Sequence, residues 1–284
     1  MKTILVPFDF SANARTALAT GMHLAVANST DLLLYHVLHE SPYRLAAASG
    51  EEAMNKLIRE NETAACNALR EEALSLEKEI RSGIDMARLR VNAEYHPLIV
   101  EKIQETAISE KAGLIVMGTQ GATGMRKILF GSNTSSLIAH CNIPVLAIPP
   151  DYKYQPVRKL MYATDLEHFR DELDRVLPFA IRLQARLEIL HFDYGTNGNR
   201  ISPEEAENII RQKEYIHIQL VKEKASLDIP LLKQLRQFIE SSQPGWIAMF
   251  HREKSIWEKL VSGSHTEDMA HALSLPLLSF RKKE

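Results

Sequence analysis

The chain repeats itself, and the repetition limits the folds open to it more than any other feature. Residues 2–11 read KTILVPFDFS and residues 158–167 read RKLMYATDLE, each an apolar run that ends on an aspartate, Asp9 or Asp165, and then enters a helical pattern. LLLYHV, ending at Val37, is answered by LEILHF, ending at Phe192, with His36 and His191 one residue before the end. LIVMG at 114–118 is answered by WIAMF at 246–250, GSNT at 131–134 by GSHT at 263–266, and IPVLAI from Ile143 by LPLLSF from Leu275. The interval from Met117 to Gly131 equals that from Met249 to Gly263. Landmarks repeated in one order predict two homologous domains, 1–150 and 157–284, joined by the turn-rich PPDYKYQP segment at 149–156.

Within the first half the hydrophobic period alternates between strand and helix. Ile4–Phe8 is a continuous apolar run, as expected of a parallel strand buried on both faces. Ser11 is placed to cap a helix over about residues 13–26, with Ala14, Ala17, Leu18 and Met22 facing inward. Further strands are expected over 32–38, 89–95, 114–117 and 145–148, with helices over 51–81, from Pro97 to about Lys111, and over 133–140. The second half follows the same order in fewer residues, with a truncated second helix from Pro203 and strands at 215–221, 246–250 and 277–280. Strand–helix alternation with crossovers of this length predicts an α/β protein, each half an open parallel sheet with helices on both faces.

The net charge of −2 gives no electrostatic reason to expect nucleic acid or an anionic membrane as partner, and no apolar run reaches the length of a membrane span. A cytoplasmic location is the expectation. Cys66 and Cys141 are far apart and form no CxxC, so both are expected as reduced thiols. The basic end at Arg281, Lys282 and Lys283 reads as a frayed tail.

Ligands of open parallel sheets sit outside the carboxyl ends of the strands. Three segments of the first half arrive there: Pro7–Asp9, Val37, and the loop GTQGATGMRKILFGSNT at 118–134. Glycines 118, 121, 124 and 131 permit close backbone approach and positive φ, and peptide N–H groups in such a loop form an anion-binding concavity. Gly131 and Ser132 open the last helix, whose N-terminus favours a phosphate, with Ser132 and Thr134 as hydroxyl donors. Two amide-rich cradles on one segment suit a polyphosphate. Spacing alone leaves the alternative open, in which Gly118 and Gly121 only turn the chain and Ser132 only caps a helix. No GK[ST] follows the loop, so this is not a P-loop, and no GxGxxG follows the first strand.

Taken together, ILVPFDFS, HV closing the second strand, and MGTQG-x9-GSNT followed by IPVLAI resemble the universal stress protein family, and the likeness runs through both halves as in a tandem member. The pattern Gly118-x2-Gly121-x9-Gly131-Ser132 matches that family's ATP-binding signature. The resemblance implies five-stranded sheets of order 3-2-1-4-5, an adenine-nucleotide α-hydrolase-like fold, with the two domains pairing as an intrachain pseudo-dimer and a further homodimer left open. It implies ATP or another adenine nucleotide, with or without Mg²⁺, in the first half. Pro7 and Asp9 would flank the adenosine and the Val37 backbone would meet the adenine. Met117, Gly118, Thr119, Gln120, Gly121, Ala122 and Thr123 would surround the ribose and phosphates, and Gly131, Ser132, Asn133 and Thr134 would hold the phosphates. A stress-response sensor or switch acting on an unidentified protein partner is the implied role. The alternatives are an interaction module without nucleotide and a slow ATP-hydrolysing enzyme.

The aligned loop of the second half is spoiled. Phe250 stands for Gly118 and Glu253 for Gly121, which obstructs backbone approach and places negative charge where phosphates would sit. One nucleotide per chain is therefore expected, the second half serving pairing and stability, with a small acid or a metal near His251, Glu253 and His265 as the other option. His36 and His191, paired in both halves, are expected as packed, hydrogen-bonded side chains. Glu71–Arg81 reads as a solvated helix face, and no nucleophile–base–orienter constellation points to an enzyme.

Overall fold

The computed structural model describes residues 3–39, 50–119, 131–195, 201–251 and 274–282. The chain divides into two compact units, the first reaching Tyr154 and the second resuming at Gln155.

The first unit runs β1 (Thr3–Pro7), α1 (Ala12–Asn28), β2 (Asp31–Leu38), α2 (Glu51–Ile80), β3 (Leu89–Tyr95), α3 (Ile99–Ser109), β4 (Ala112–Gly118), α4 (Ser132–His140) and β5 (Val145–Ile148). Its strands lie in the order β3-β2-β1-β4-β5 and every pairing is parallel. Ile4, Leu5 and Val6 of the central β1 are inaccessible, each contributing about 1.5–3 kcal/mol by leaving water. Pro7 closes that strand, where its missing N–H interrupts no further ladder bond, and Phe8 N donates to Tyr35 O (2.8 Å) as the chain leaves the sheet. Ser11 caps α1, its Oγ accepting from Ala14 N (3.1 Å), and Ala14, Ala17, Leu18 and Met22 are buried as the periodicity requires. The charged α2 buries Leu69, Ala73 and Leu76, while Glu72 and Glu79 reach across to Arg15 of α1, so part of its charged face is paired rather than merely solvated.

The second unit runs β6 (Lys159–Thr164), α5 (Phe169–Leu183), β7 (Arg186–Asp193), α6 (Pro203–Arg211), β8 (Ile218–Lys224), α7 (Leu231–Ser242), β9 (Trp246–His251) and β10 (Leu277–Arg281). Its order, β8-β7-β6-β9-β10, is that of the first unit, again wholly parallel. The helix from Pro203 is indeed short, and a complete capping box between Ser202 and Glu205 starts it. The strand expected from Tyr215 begins at Ile218 instead. Register with β7 decides this: Leu187 pairs with Ile218, while Tyr215 is held before the strand by its hydroxyl donating to Ala185 O (2.8 Å).

The basic end is not a frayed tail as far as Lys282. Arg281 completes β10, and Lys282 N donates to His251 O (2.9 Å) with its side chain buried. Neither cysteine is in a disulfide; Cys141 is buried, and burial pushes its thiol above the ordinary value. Among the described residues, no helix is long and apolar enough to cross a membrane.

Tyr154, at the end of the first unit, stacks on His23 of α1 with ring centroids 4.6 Å apart and planes within 11°. Burial lowers the His23 pKa below its ordinary value, with Glu77 opposing the shift. The folded chain therefore binds fewer protons here than the unfolded one just below the ordinary value of about 6.5, so this site's contribution to stability declines as the pH falls through that range. An NMR titration is expected to place the His23 midpoint below 6.5, and Tyr154→Ala to move it upward by exposing the ring; an unmoved midpoint would refute the stacking as its cause.

Candidate functional site

At the carboxyl end of the first sheet, β1 stops earlier than β2. Their ladder ends where Pro7 pairs with Tyr35, whereas β2 continues to Leu38 against β3. Tyr35 O accepts from Phe8 N, on the β1 side, and Leu38 O accepts from His96 N (3.5 Å), on the β3 side. Peptide groups alternate along a strand, so those of Val37 turn toward the β1 side, beyond the last rung of that ladder.

The turn leaving β1 is held by its own polar groups. Asp9 Oδ1 accepts from Ser11 N (3.1 Å), so the carboxylate has a structural task at the strand end. His36 Nδ1 lies 2.7 Å from Phe8 O; a carbonyl only accepts, so that nitrogen carries the proton and donates. His191 makes the same bond to Thr164 O (3.2 Å), which fits a packed, hydrogen-bonded role for both histidines. Phe10, in the left-handed region at φ 61°, meets Phe8 and His36 edge-on with centroids 5.2 and 5.1 Å away, yet remains 46% exposed. The sequence reading passed over Phe10. Its signal was the aromatic pair flanking Asp9 in FDF, which places a second ring at the mouth.

The glycine segment is anchored at both ends. Thr119 N donates to Ile148 O (2.9 Å), Gly131 N donates to Thr119 O (2.7 Å), and Thr134 Oγ1 donates to Gly118 O (2.9 Å). Thr134 is buried, so its hydroxyl proton ties α4 to β4. Ser132 and Asn133 are exposed at the start of α4, which follows Gly131 with no side-chain cap. Such an end offers N–H groups and the helix dipole to an anion. Gly118 is not among the positive-φ glycines; a Cβ there would stand 2.7 Å from the Asn13 side chain and 3.0 Å from its backbone. Close packing against α1, not a left-handed turn, is what excludes a side chain at 118. Met117 is buried just before it. Gln120, Gly121, Ala122 and Thr123, and with them Gly124, Arg126 and Lys127, lie outside the described residues.

The second unit fills the corresponding space differently. Phe250, in the place of Gly118, stacks on Phe280 (centroids 4.6 Å) and meets Tyr162 edge-on, with the Arg175 guanidinium 5.2 Å from its ring centroid. Leu166, in the place of Phe10, keeps the left-handed backbone (φ 63°) but is buried. Asp165 Oδ1 accepts from Glu167 N (3.1 Å), repeating the Asp9 turn, and both its carboxylate oxygens also accept from Lys282 Nζ at 2.9 and 2.8 Å. Lys282 lies 3.2 Å from Glu172 Oε1 as well, and Tyr162 OH donates to Glu172 Oε2; burial first, and then the charge and hydrogen bond of Glu172, drive the tyrosine pKa well above its ordinary value. Lys282 stands where the first unit has Pro150. From sequence Lys282 reads only as part of the basic end, and Glu172 carries no signal of this role. Glu253, Gly263, Ser264, His265 and Thr266 lie outside the described residues, and among those described no group of three or more histidine, cysteine or acidic side chains is placed to hold a metal.

A family model described as the universal stress protein family matches residues 1–149. A universal stress protein of Methanocaldococcus jannaschii is 30% identical over 156 residues, spanning 52% of this chain and 94% of that protein. One from Thermus aquaticus is 31% identical over 147 residues, spanning 52% and 98%. Among solved structures, a universal stress protein from Archaeoglobus fulgidus superposes with a TM-score of 0.61 at 18% identity, covering 99% of this chain and 97% of that one. That last likeness is one of fold, and it extends through both halves.

Proposed function

The chain belongs to the universal stress protein family, and we propose that it binds one adenine nucleotide, ATP, at the carboxyl end of its first sheet and works as a nucleotide-dependent switch in a stress response. The observation that carries this reading is the join between β4 and α4. Gly131 N to Thr119 O and Thr134 Oγ1 to Gly118 O bring an uncapped helix N-terminus beside the strand end. The Val37 peptide edge at the same sheet end would meet the adenine, with Pro7 and Asp9 flanking the adenosine and the exposed Phe10 ring, packed on Phe8 and His36, nearby. Backbone groups would read the base and the helix start would take phosphate, with Met117 to Thr123 between them and Ser132 and Asn133 as further donors. Mg²⁺, where it accompanies the nucleotide, would neutralise part of the phosphate charge.

Binding without efficient turnover fits the carboxylate at hand: Asp9 is committed to the Ser11 amide, and both unit histidines are committed to carbonyls. Any hydrolysis would rest on Mg²⁺ and water. The bound nucleotide would instead set a state that a protein partner recognises.

A single site is expected because the second half carries Phe250 and Glu253 where the first has Gly118 and Gly121, and the Phe250 ring is packed among Phe280, Tyr162 and Arg175 at the strand end. Calorimetric titration of the whole chain with MgATP is expected to give one site per chain, and thermal unfolding to rise with ATP. Two equivalent sites would refute the asymmetry, and no heat and no thermal shift would favour the interaction-module reading.

A further inference from the structure

The second unit contains a cavity of about 320 Å³ at the carboxyl ends of β6, β7 and β9, with α7 as one wall. Five of the residues lining it, Ala163, Asp165, Phe192, Met249 and Phe250, occupy the positions of Pro7, Asp9, Val37, Met117 and Gly118 in the repeat. The fold thus keeps a hollow at the sheet end where the first unit has its proposed nucleotide site. Its walls are different. Phenylalanine replaces valine at 192 and glycine at 250, and α7 adds Leu231 and Leu235. A flat apolar body gains affinity in such a space by leaving water, and the rings of Phe192, Tyr194 and Phe250 favour an aromatic one.

The charged groups of the lining are already engaged inside the protein. Asp165 accepts from Glu167 N and from Lys282 Nζ with both oxygens. Lys282 Nζ also lies 3.2 Å from Glu172 Oε1, and Asp165 and Glu167 have further interactions of their own. A ligand with a full charge would lose its water to apolar walls, and pairing that charge again would mean displacing one of these contacts. An uncharged ligand makes neither demand, whatever the charges of the lining sum to. One acceptor remains open. Glu172 is 3% exposed and Tyr162 OH donates to its Oε2, but its Oε1 receives no hydrogen bond although Lys282 Nζ is near. A buried oxygen in that state is short of a donor, which a ligand hydroxyl or N–H supplies without carrying charge.

We propose that this cavity binds a small uncharged aromatic compound carrying one hydroxyl or N–H donor. The site does not rest on the nucleotide reading of the first unit, and no covalent step is involved.

Compounds that share one ring system and differ in the head group test this by calorimetry on the full chain near neutral pH: 2-naphthol, 2-methoxynaphthalene, 2-naphthoate and protonated 2-naphthylmethylamine. The expected result is one saturable site for 2-naphthol below millimolar concentration. The methyl ether, which keeps the body and loses the donor, should bind about tenfold weaker, and both charged compounds at least about tenfold weaker. Leu231 opens α7 and is 38% exposed, so Leu231→Asp charges the cavity wall in a first helical turn, where an acid is tolerated. That variant is expected to keep the wild-type urea midpoint and to lose at least about tenfold in 2-naphthol affinity. Ala163→Leu fills the cavity from β6 and is expected to abolish binding, so either variant locates the site if the other does not fold. Absence of 2-naphthol binding, a charged compound or the methyl ether binding as tightly, or wild-type affinity in either folded variant would each overturn the proposal.

Discussion

Gly118→Phe, which copies the second half's residue into the first, is expected to abolish stabilisation by ATP and to weaken its binding at least about 100-fold, or about 2.7 kcal/mol. The cause is steric and lies in α1. A Cβ at 118 comes within 2.7 Å of Asn13 Cγ and Nδ2, which a rotamer change relieves, but also within 3.0 Å of the Asn13 backbone carbon, which it does not. The strand end and the helix start must part, and the tie from Thr134 to Gly118 O parts with them. Overpacking of this kind costs about 1–3 kcal/mol of stability in its own right. The second unit accepts phenylalanine because Phe169 replaces Asn13 there and Tyr162, Phe280 and Arg175 build a pocket around the ring. Gly118→Ala should show the same effects, smaller. Calorimetric scans with and without ATP separate the two losses. Wild-type ATP affinity in a folded Gly118→Phe chain would show that the nucleotide site lies elsewhere.

The doubling and most element positions were legible because each rests on local pattern: apolar runs for strands buried on both faces, Ser11 and Pro203 for helix starts, recurring landmarks for the repeat; the strand order came only with the family resemblance. Leu89–Tyr95 and the start of α2 at Glu51 fall where periodicity puts them. Tyr215 shows the limit, since a three-residue offset in an alternating stretch is resolved only by pairing with β7. Gly118 was read as permitting close backbone approach or positive φ; its φ is not positive, and the close neighbour is Asn13, 105 positions away in the chain, which spacing cannot show. The Phe8–Phe10–His36 cluster was within reach, being local to FDF and HV. Lys282 was not. A lysine in a terminal basic run looks solvated, and only the β10 register carries it to Asp165, 117 residues away. Its consequence is large, because the ion cluster separates the chemistry of the two sheet ends more sharply than the lost glycines do.

Lys282→Met is therefore expected to destabilise the second unit by about 3–5 kcal/mol near neutral pH, the usual result of leaving a buried carboxylate, here Glu172, without its cation. The Lys282 side chain is 7% exposed and that of Glu172 4%, so water cannot replace the lost ammonium, and methionine matches the stem of the lysine closely enough that packing is kept. Protonating one carboxylate removes the unpaired charge, and the folded variant gains more from that than the unfolded chain, where both carboxylates are hydrated. Its stability should accordingly rise toward wild type as the pH falls, the reverse of an ordinary acid transition. Adding Glu172→Gln to Lys282→Met should recover part of the loss, since the two side chains act as one unit. Both tryptophans, Trp246 and Trp257, belong to the second half, so their fluorescence follows urea unfolding of this unit while the first is monitored separately by its response to ATP. A variant within about 0.5 kcal/mol of wild type at pH 7, or one whose deficit does not shrink on acidification, would mean that the cluster is solvated and does not hold the strand ends together.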